Sequence, residues 1–275
     1  MEPEYRDFSL LEHAGWEQAA GEYEARWTDL TSHFIEPLLR AVDLTAGARL
    51  LDVACGPGYV AAAVLRAGAV PVGLDFSASM VRRARERNPG IEFLEGDAER
   101  LPFETARFDR VVTNFGVPHL ARPGVAFREA RRVLRAGGRF GFTVWAAPAD
   151  NPLSRYVCDA IEAHADLAID LPEGPPRFPL SEEPACRQVL EEAGFAPASM
   201  TFETVRATWR VPSAEFLFEA ELKGGVRTAA VLARQSAGRL VAIRAAIADA
   251  VRAHAVPGGF AIPATAHVVA AAAPS

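Results

Sequence analysis

Between residues 49 and 145 the chain switches repeatedly between two hydrophobic periods, and this constrains its fold more than any other feature. Arg49-Leu50-Leu51-Asp52-Val53 is a short apolar run, and the glycine loop Ala54-Cys55-Gly56-Pro57-Gly58 leads from it into a helix over 59–67. Val70 to Asp75 is a second run, followed by a helix from Ser77 to Arg87 with Ser77 or Ser79 placed to cap it. Ile91 to Glu95, Phe108 to Asn114 and Arg139 to Trp145 repeat the apolar run. A helix over 123–135 precedes the last of them, and Gly137-Gly138 is expected to stop that helix. Strands alternating with helices of this length form a parallel sheet covered on both faces. Its crossovers are right-handed. The class is α/β, doubly wound.

The flanks follow other rules. Residues 9–42 read as helical, with Trp16, Ala20, Tyr23, Trp27, Leu30 and Phe34 on one face at steps of three and four. After residue 146 the alternation loosens. Helices are expected over 151–166 and 182–193, a strand near 198–210, helical sequence over 213–254 and a last strand over 259–272. The expected organisation is an N-terminal helical cap (1–48), a cofactor-binding core (49–145), a lid segment (146–181), a continuation of the core (182–210), a helical lid insertion (211–258) and a last strand with tail (259–275).

Composition narrows the function classes. The formal charge is 29 − 35 = −6, the opposite of the basic stripe of a nucleic-acid binder. Lys223 is the single lysine, so Schiff-base chemistry has one candidate. Cys55, Cys158 and Cys186 are far apart with no CxxC, which indicates neither a disulfide framework nor a zinc site. They fit a reducing compartment. The start, Met1-Glu2-Pro3-Glu4-Tyr5-Arg6-Asp7, is polar and acidic rather than leader-like. No apolar run approaches the ~18 residues of a membrane span. The expected location is the cytoplasm, with no membrane or nucleic-acid partner and no metal; a homodimer is compatible with all of this.

In a doubly wound sheet ligands sit beyond the carboxyl ends of the strands. The first strand–helix turn lies there, and Gly56 and Gly58 remove Cβ atoms so that a ligand approaches the backbone closely. Gly56-x-Gly58-x-x-Ala61 also satisfies the dinucleotide fingerprint, so the loop alone does not choose between cofactors. Three neighbours do. Asp52, ahead of the glycines, would repel a pyrophosphate but orders the loop and attracts an ammonium group. Asp75 ends the second strand, where a carboxylate accepts from both hydroxyls of a ribose. Gly96-Asp97-Ala98 follows the third strand and offers an acceptor and an N–H to an adenine edge. Together they describe an adenosine that carries an amino acid.

At this point the sequence resembles the class I S-adenosylmethionine-dependent methyltransferases, in particular the ubiquinone/menaquinone-biosynthesis-like small-molecule subgroup. The resemblance is carried by LLDVACGPG (50–58), VGLDFSASM (72–80), FLEGDAERLPF (93–103), FDRVVTNFGVPHL (108–120) and EARRVLRAGGRF (129–140), in the family's order, over about 49–145. It implies a Rossmann-like seven-stranded methyltransferase sheet with N-terminal helices and a helical lid. It implies S-adenosyl-L-methionine as cofactor, with S-adenosyl-L-homocysteine as product. Asp52, Ala54, Gly56 and Gly58 would line the methionine end, and Asp75 would hold the ribose. Phe76 and Met80 would edge the adenine, Asp97 and Ala98 would read it, and Asn114 and Phe115 would flank the sulfonium. Tyr23 and Trp27 would close over the cofactor from the N-terminal helix. Ala54 departs from the all-glycine form of the first motif, though small residues are common there in this subgroup.

Methyl transfer needs alignment above all, and an oxygen or carbon acceptor usually also loses a proton. His119, shortly after the fourth strand, is the candidate base; the alternative is that it anchors the loop before the next helix. His13, His33 and His164 reach the pocket only if their helices fold over it. The expected acceptor is a small hydrophobic metabolite, attacked at O, C or N. Both long connections are expected to wall its pocket, through Leu153, Tyr156 and Val157 in the first and Phe216, Leu217, Phe218 and Leu222 in the second. Two other readings are weighed: a methyltransferase fold that binds the cofactor without transfer, as a cyclase or binding protein, and a nicotinamide-dependent oxidoreductase. Asp52 and Gly96-Asp97-Ala98 disfavour the latter.

Overall fold

The computed structural model describes residues 5–274; the acidic start over Met1–Glu4 and the last residue, Ser275, lie outside the described residues. Three helices open the fold: α1 (Arg6–Arg26), α2 (Thr28–Ser32) and α3 (Ile35–Ala41). The core runs β1 (Arg49–Val53), α4 (Tyr59–Arg66), β2 (Val70–Asp75), α5 (Ala78–Arg87), β3 (Glu92–Glu95), β4 (Phe108–Asn114), α6 (Pro123–Val133) and β5 (Leu134–Trp145). Then come α7 (Pro152–His164), α8 (Glu183–Glu192), β6 (Thr201–Val211), α9 (Phe216–Gly224), α10 (Arg227–Leu232), α11 (Ala237–Arg252), β7 (Ala255–Val256) and β8 (Gly259–Ala272).

The sheet order is β3-β2-β1-β4-β5-β8-β6, with the two-residue β7 paired to β8. β1 to β5 pair in parallel. β8 is antiparallel to both β5 and β6, so β6 points the same way as the parallel strands. This is the expected doubly wound methyltransferase sheet, with the short β7 added. One face carries α6 and α8 over Val111, Phe140 and Phe142. The other carries α3 and α4 over Leu50, Val112 and Val268. A third apolar cluster lies above the strand ends, where Trp27, Leu30 and Phe34 meet α7, α9, α11 and Trp209. No helix among the described residues is long and apolar enough to cross a membrane.

Local chemistry explains the turns that matter. Gly58 caps α4 in the left-handed region at φ 83°, and a Cβ there would stand 2.9 Å from both the Phe93 ring and Asn88 Nδ2. Ser77 caps α5 by accepting from the Met80 amide at 3.2 Å. Two boundaries differ from expectation. The first helical stretch is broken at Trp27 and again before Ile35, so its apolar face bends round the sheet end. α6 stops at Val133, because Leu134 already pairs with Phe108 in the sheet. Gly137 and Gly138 therefore sit in a register shift of β5 rather than at a helix stop.

Candidate active site

The carboxyl ends of β1, β2 and β4 open onto one cavity, and α1 closes it from above. Asp52 points into it from β1. It is 1% exposed, and neither carboxylate oxygen has a hydrogen-bond partner among the described residues. Burial pushes its carboxyl well above the usual carboxylate range, and the nearby Asp75 carboxylate adds to this. The Ala61 amide approaches without reaching hydrogen-bond geometry and offsets part of that cost. Asp75, at the end of β2, is held by two backbone donors: Gly56 N at 2.8 Å and Ser77 N at 3.0 Å. Burial nevertheless raises it to about 6, while those two bonds and the His119 imidazole pull it down. Neither acid has an ion-pair partner among the described residues, so burial opposes their ionisation and a ligand cation would favour it.

The loops are shaped for close approach. Gly56 adopts φ 51°, and a Cβ added there would meet nothing within 4 Å, so its backbone faces open space. Ala54 and Phe115 take positive φ without being glycine, at 55° and 61°. Such conformations cost ~1–3 kcal/mol each and cluster where a ligand is gripped. Phe115 is fixed by stacking on Trp145 at 4.1 Å and by an edge contact with Phe34 at 5.2 Å. Asn114 donates Nδ2 to the Thr31 carbonyl at 3.2 Å, tying β4 to α2, while its buried Oδ1 has no partner among the described residues.

The cavity brings together most of the residues singled out from the sequence: Tyr23, Trp27, Asp52, Ala54, Gly56, Asp75, Phe76, Met80, Asn114, Phe115 and His119. It does not reach Gly58, whose side faces Phe93, or Asp97 and Ala98. Asp97 is exposed, and its Oδ1 accepts from the Glu99 amide at 2.8 Å. Tyr23 is half-buried with its hydroxyl 3.5 Å from Thr31 Oγ1, and desolvation raises its pKa. Trp27 donates Nε1 to the Ala220 carbonyl at 3.1 Å and stacks on Trp209 at 5.1 Å. His13 packs edge-on against Phe76, and neither it nor His33 or His164 lines the cavity.

The far wall corrects one expectation. Both long connections do reach the cavity, but through Arg177–Ser181 and Gly224–Thr228. Leu153, Tyr156, Val157, Phe216, Leu217, Phe218 and Leu222 are absent from it, because α7, α9 and α11 use those side chains to pack on one another. The wall is consequently more polar than expected. Arg177 donates to Thr228 Oγ1 at 2.5 Å and stands 3.8 Å from Glu221. Glu12, wholly buried beneath His119, joins the site without having been expected there. The signal was there: an acid four residues after Phe8 and four before Trp16, inside an apolar stripe.

A methyltransferase-domain family model matches residues 51–142. The demethylmenaquinone methyltransferase of Streptomyces griseus is 30% identical over 167 residues, covering 57% of this chain and 72% of that protein. That of Chlorobaculum tepidum is 34% identical over 171 residues, covering 57% of this chain and 70% of the relative. Several other relatives of the same name match over about half their length; for Clavibacter sepedonicus the share is 46%. Among solved structures, the YcgJ protein of Bacillus subtilis aligns with a TM-score of 0.60 at 18% identity, over 88% of this chain and 99% of that one. The [4+2]-cyclase SpnF aligns with a TM-score of 0.58 at 20% identity, over 96% and 97%, a likeness of fold alone. The chain belongs to the class I S-adenosylmethionine-dependent methyltransferases of the ubiquinone/menaquinone type. It is an enzyme of methyl transfer with S-adenosylmethionine as its cofactor. The cavity fits that molecule: the unpartnered Asp52 carboxylate suits an ammonium group, Asp75 suits a diol, and Gly56 leaves room for both.

Proposed function

We propose that the protein methylates a small, largely apolar acceptor held between the strand ends and the helical wall. The observation that carries this is the apolar lining of the cavity that holds Asn114 and Phe115. Trp27, Ile35, Val144, Trp145, Phe178 and Leu180 wall it there, from four separate parts of the chain. A lining of indole, phenyl and aliphatic side chains suits a small ring system. S-adenosylmethionine, when bound, supplies an electrophilic methyl group on a sulfonium.

The chain's own residues do the rest. Asp52 and the Gly56 backbone hold the amino-acid end, Asp75 accepts from the ribose hydroxyls, and Phe76 and Met80 pack on the base. Tyr23 and Trp27 exclude water from above. Alignment in a dry site is the main catalytic term, up to ~7–11 kcal/mol in ideal cases. His119 faces the same space and is the base for an acceptor that must lose a proton. The relatives are named for demethylmenaquinone, which makes a reduced short-chain demethylmenaquinone the first acceptor to try. The free cysteines Cys55, Cys158 and Cys186 suit a reducing compartment and support a cytoplasmic location.

The test has two stages. Calorimetry is expected to show binding of S-adenosylhomocysteine and none of NAD; the reverse sinks the assignment of the site. Mass spectrometry of a reaction with S-adenosylmethionine and the reduced quinol should then show a singly methylated product. A chain that binds the cofactor but methylates only macromolecules would overturn the small-acceptor reading.

A further inference from the structure

His119 is not alone at its end of the cavity. Its Nδ1 lies 2.9 Å from Glu12 Oε2, across 107 residues of sequence. Glu12 is 0% exposed, while the His119 side chain is 29% exposed and lines the cavity. The same Oε2 accepts the indole N–H of Trp16 at 3.1 Å, one turn along α1. Trp16 also packs edge-on against the imidazole, with ring centres 4.8 Å apart. The ring is therefore held from two sides by one helix. Glu12 Oε1 is buried without a partner among the described residues, and the Arg227 guanidinium is near enough to feel the Glu12 charge. A buried ion pair is weak evidence for stability, since well-packed apolar residues often serve as well.

Its geometry does have a chemical use. A carboxylate on Nδ1 fixes which imidazole nitrogen carries the proton. With Nδ1–H donated to Glu12, Nε2 keeps its lone pair. No group among the described residues pairs with Nε2, and it is not among the buried polar atoms that lack a partner. It is free for the cavity.

Resting on the small-acceptor reading above, we propose that Glu12 is the positioning residue that sets His119 as an Nε2 base, and that the acceptor is therefore a hydroxyl compound of the phenol or enol class. In the step it serves, the acceptor O–H bond breaks and its electron pair stays on oxygen. The proton forms a new N–H bond at Nε2, giving an imidazolium that the Glu12 carboxylate stabilises, and it is released to water after turnover. An amine free-base acceptor would need no such pair.

The experiment reads the tautomer directly. Protein labelled with ¹⁵N-histidine, its six histidines assigned with the help of His119→Gln, is compared with Glu12→Gln by long-range ¹H–¹⁵N correlation at pH 7.5. The wild type is expected to show a protonated Nδ1 and a bare Nε2 at His119, and Glu12→Gln a mixture of the two neutral forms. With the reduced short-chain demethylmenaquinone as probe, Glu12→Gln should lower kcat by about 100-fold, the scale of a general base. S-adenosylhomocysteine affinity should stay within about threefold. The same ring with both hydroxyls capped as ethers should give no product. A wild-type spectrum with the proton on Nε2 overturns the proposal whether or not any variant folds. So does a Glu12→Gln enzyme that keeps its kcat, or one whose cofactor affinity falls as far as its kcat; the latter would make the pair an anchor for the cofactor. Failure of the wild type to bind S-adenosylhomocysteine would instead strike the reading of the whole site.

Discussion

The two halves of the cavity are built on different principles. The half at the strand ends is local: Asp52, Ala54, Gly56, Asp75, Asn114 and Phe115 each sit at or just beyond the end of a paired strand. Sheet register places them, with Val53 beside Leu74 and Asp75 beside Glu95. The half above them comes from α1 and from the segments Arg177–Ser181 and Gly224–Thr228, and side-chain packing alone places it. Three glycines permit that packing. Added Cβ atoms at Gly15, Gly174 and Gly224 would stand 2.5 Å from Val226, 2.3 Å from the Phe8 ring and 2.9 Å from the Trp27 ring. The strand-end half carries unpaired buried acid and is unfavourable until something cationic arrives. The helical half is close-packed, with Arg177 beside Glu221 and His119 on Glu12. Binding energy and folding energy are thus lodged in different places.

Four measurements would break or sharpen that division. The largest effect is expected from Asp75→Ala. A hydrogen bond to a charged acceptor is worth ~1.5–3 kcal/mol. S-adenosylhomocysteine affinity should therefore fall at least about tenfold by calorimetry while the fold survives. Unchanged affinity removes Asp75 from the site. Next, Gly15→Val should cost about 1–3 kcal/mol of stability by overpacking against Val226. It should raise KM for the acceptor and leave cofactor affinity within about threefold. A large loss of cofactor affinity would show that the halves are not separable.

The third effect is a pH dependence. Asp75 is held at about 6 in the ligand-free protein, above its ordinary 3.8. Ligand hydroxyls donate to the ionised form, so the bound protein has the lower pKa and binding releases a proton. Affinity should be level above about pH 7 and fall below pH 6 by no more than about tenfold per unit. For the ligand-free fold the sign is the opposite. The raised pKa means the folded state holds the proton more tightly than the unfolded one, so stability drops as pH rises from about 4 to 6. Affinity that increases in acid would contradict the assignment. The smallest effect is expected from Asp52→Asn, which removes a buried carboxyl whose ionisation burial opposes and which has no partner among the described residues. The ligand-free protein should gain about 1 kcal/mol, or ~2–4 °C in Tm. Affinity for the cofactor's amino-acid end should weaken at the same time.

The same division sets what the sequence revealed. Strand-end residues were legible because a turn after a strand has one place to be, and each motif from Asp52 to His119 follows the end of its own strand. The limits of that logic show at Gly58 and Asp97. Both sit in recognisable turns, yet one glycine clears space for Phe93 and the carboxylate of the other serves its own loop. The helical wall was legible only as a region. Which residues of 146–181 and 211–258 reach the cavity depends on how three helices divide their apolar faces, and periodicity does not report that. Apolar content suggested Leu153 and Phe218, whereas the wall is Arg177–Ser181 and Gly224–Thr228. Glu12 was missed because its partner lies on the far side of the core.

The sheet order has a consequence for how the molecule is made. β8 follows every other described strand in sequence, yet it lies inside the sheet, between β5 and β6. A ribosome that has released β1 to β5 has already produced every strand that shapes the strand-end half of the cavity. It has produced neither Gly224–Thr228 nor the strand that joins β6 to the rest. Until Gly259–Ala272 emerges, the β5 edge is unpaired and β6 has nothing to pair with. The nascent chain at that stage carries the strand-end residues of the cavity together with an unpaired β5 edge. Early occupancy by S-adenosylmethionine would hold that stage together at the moment when the chain is most open to pairing with a neighbour.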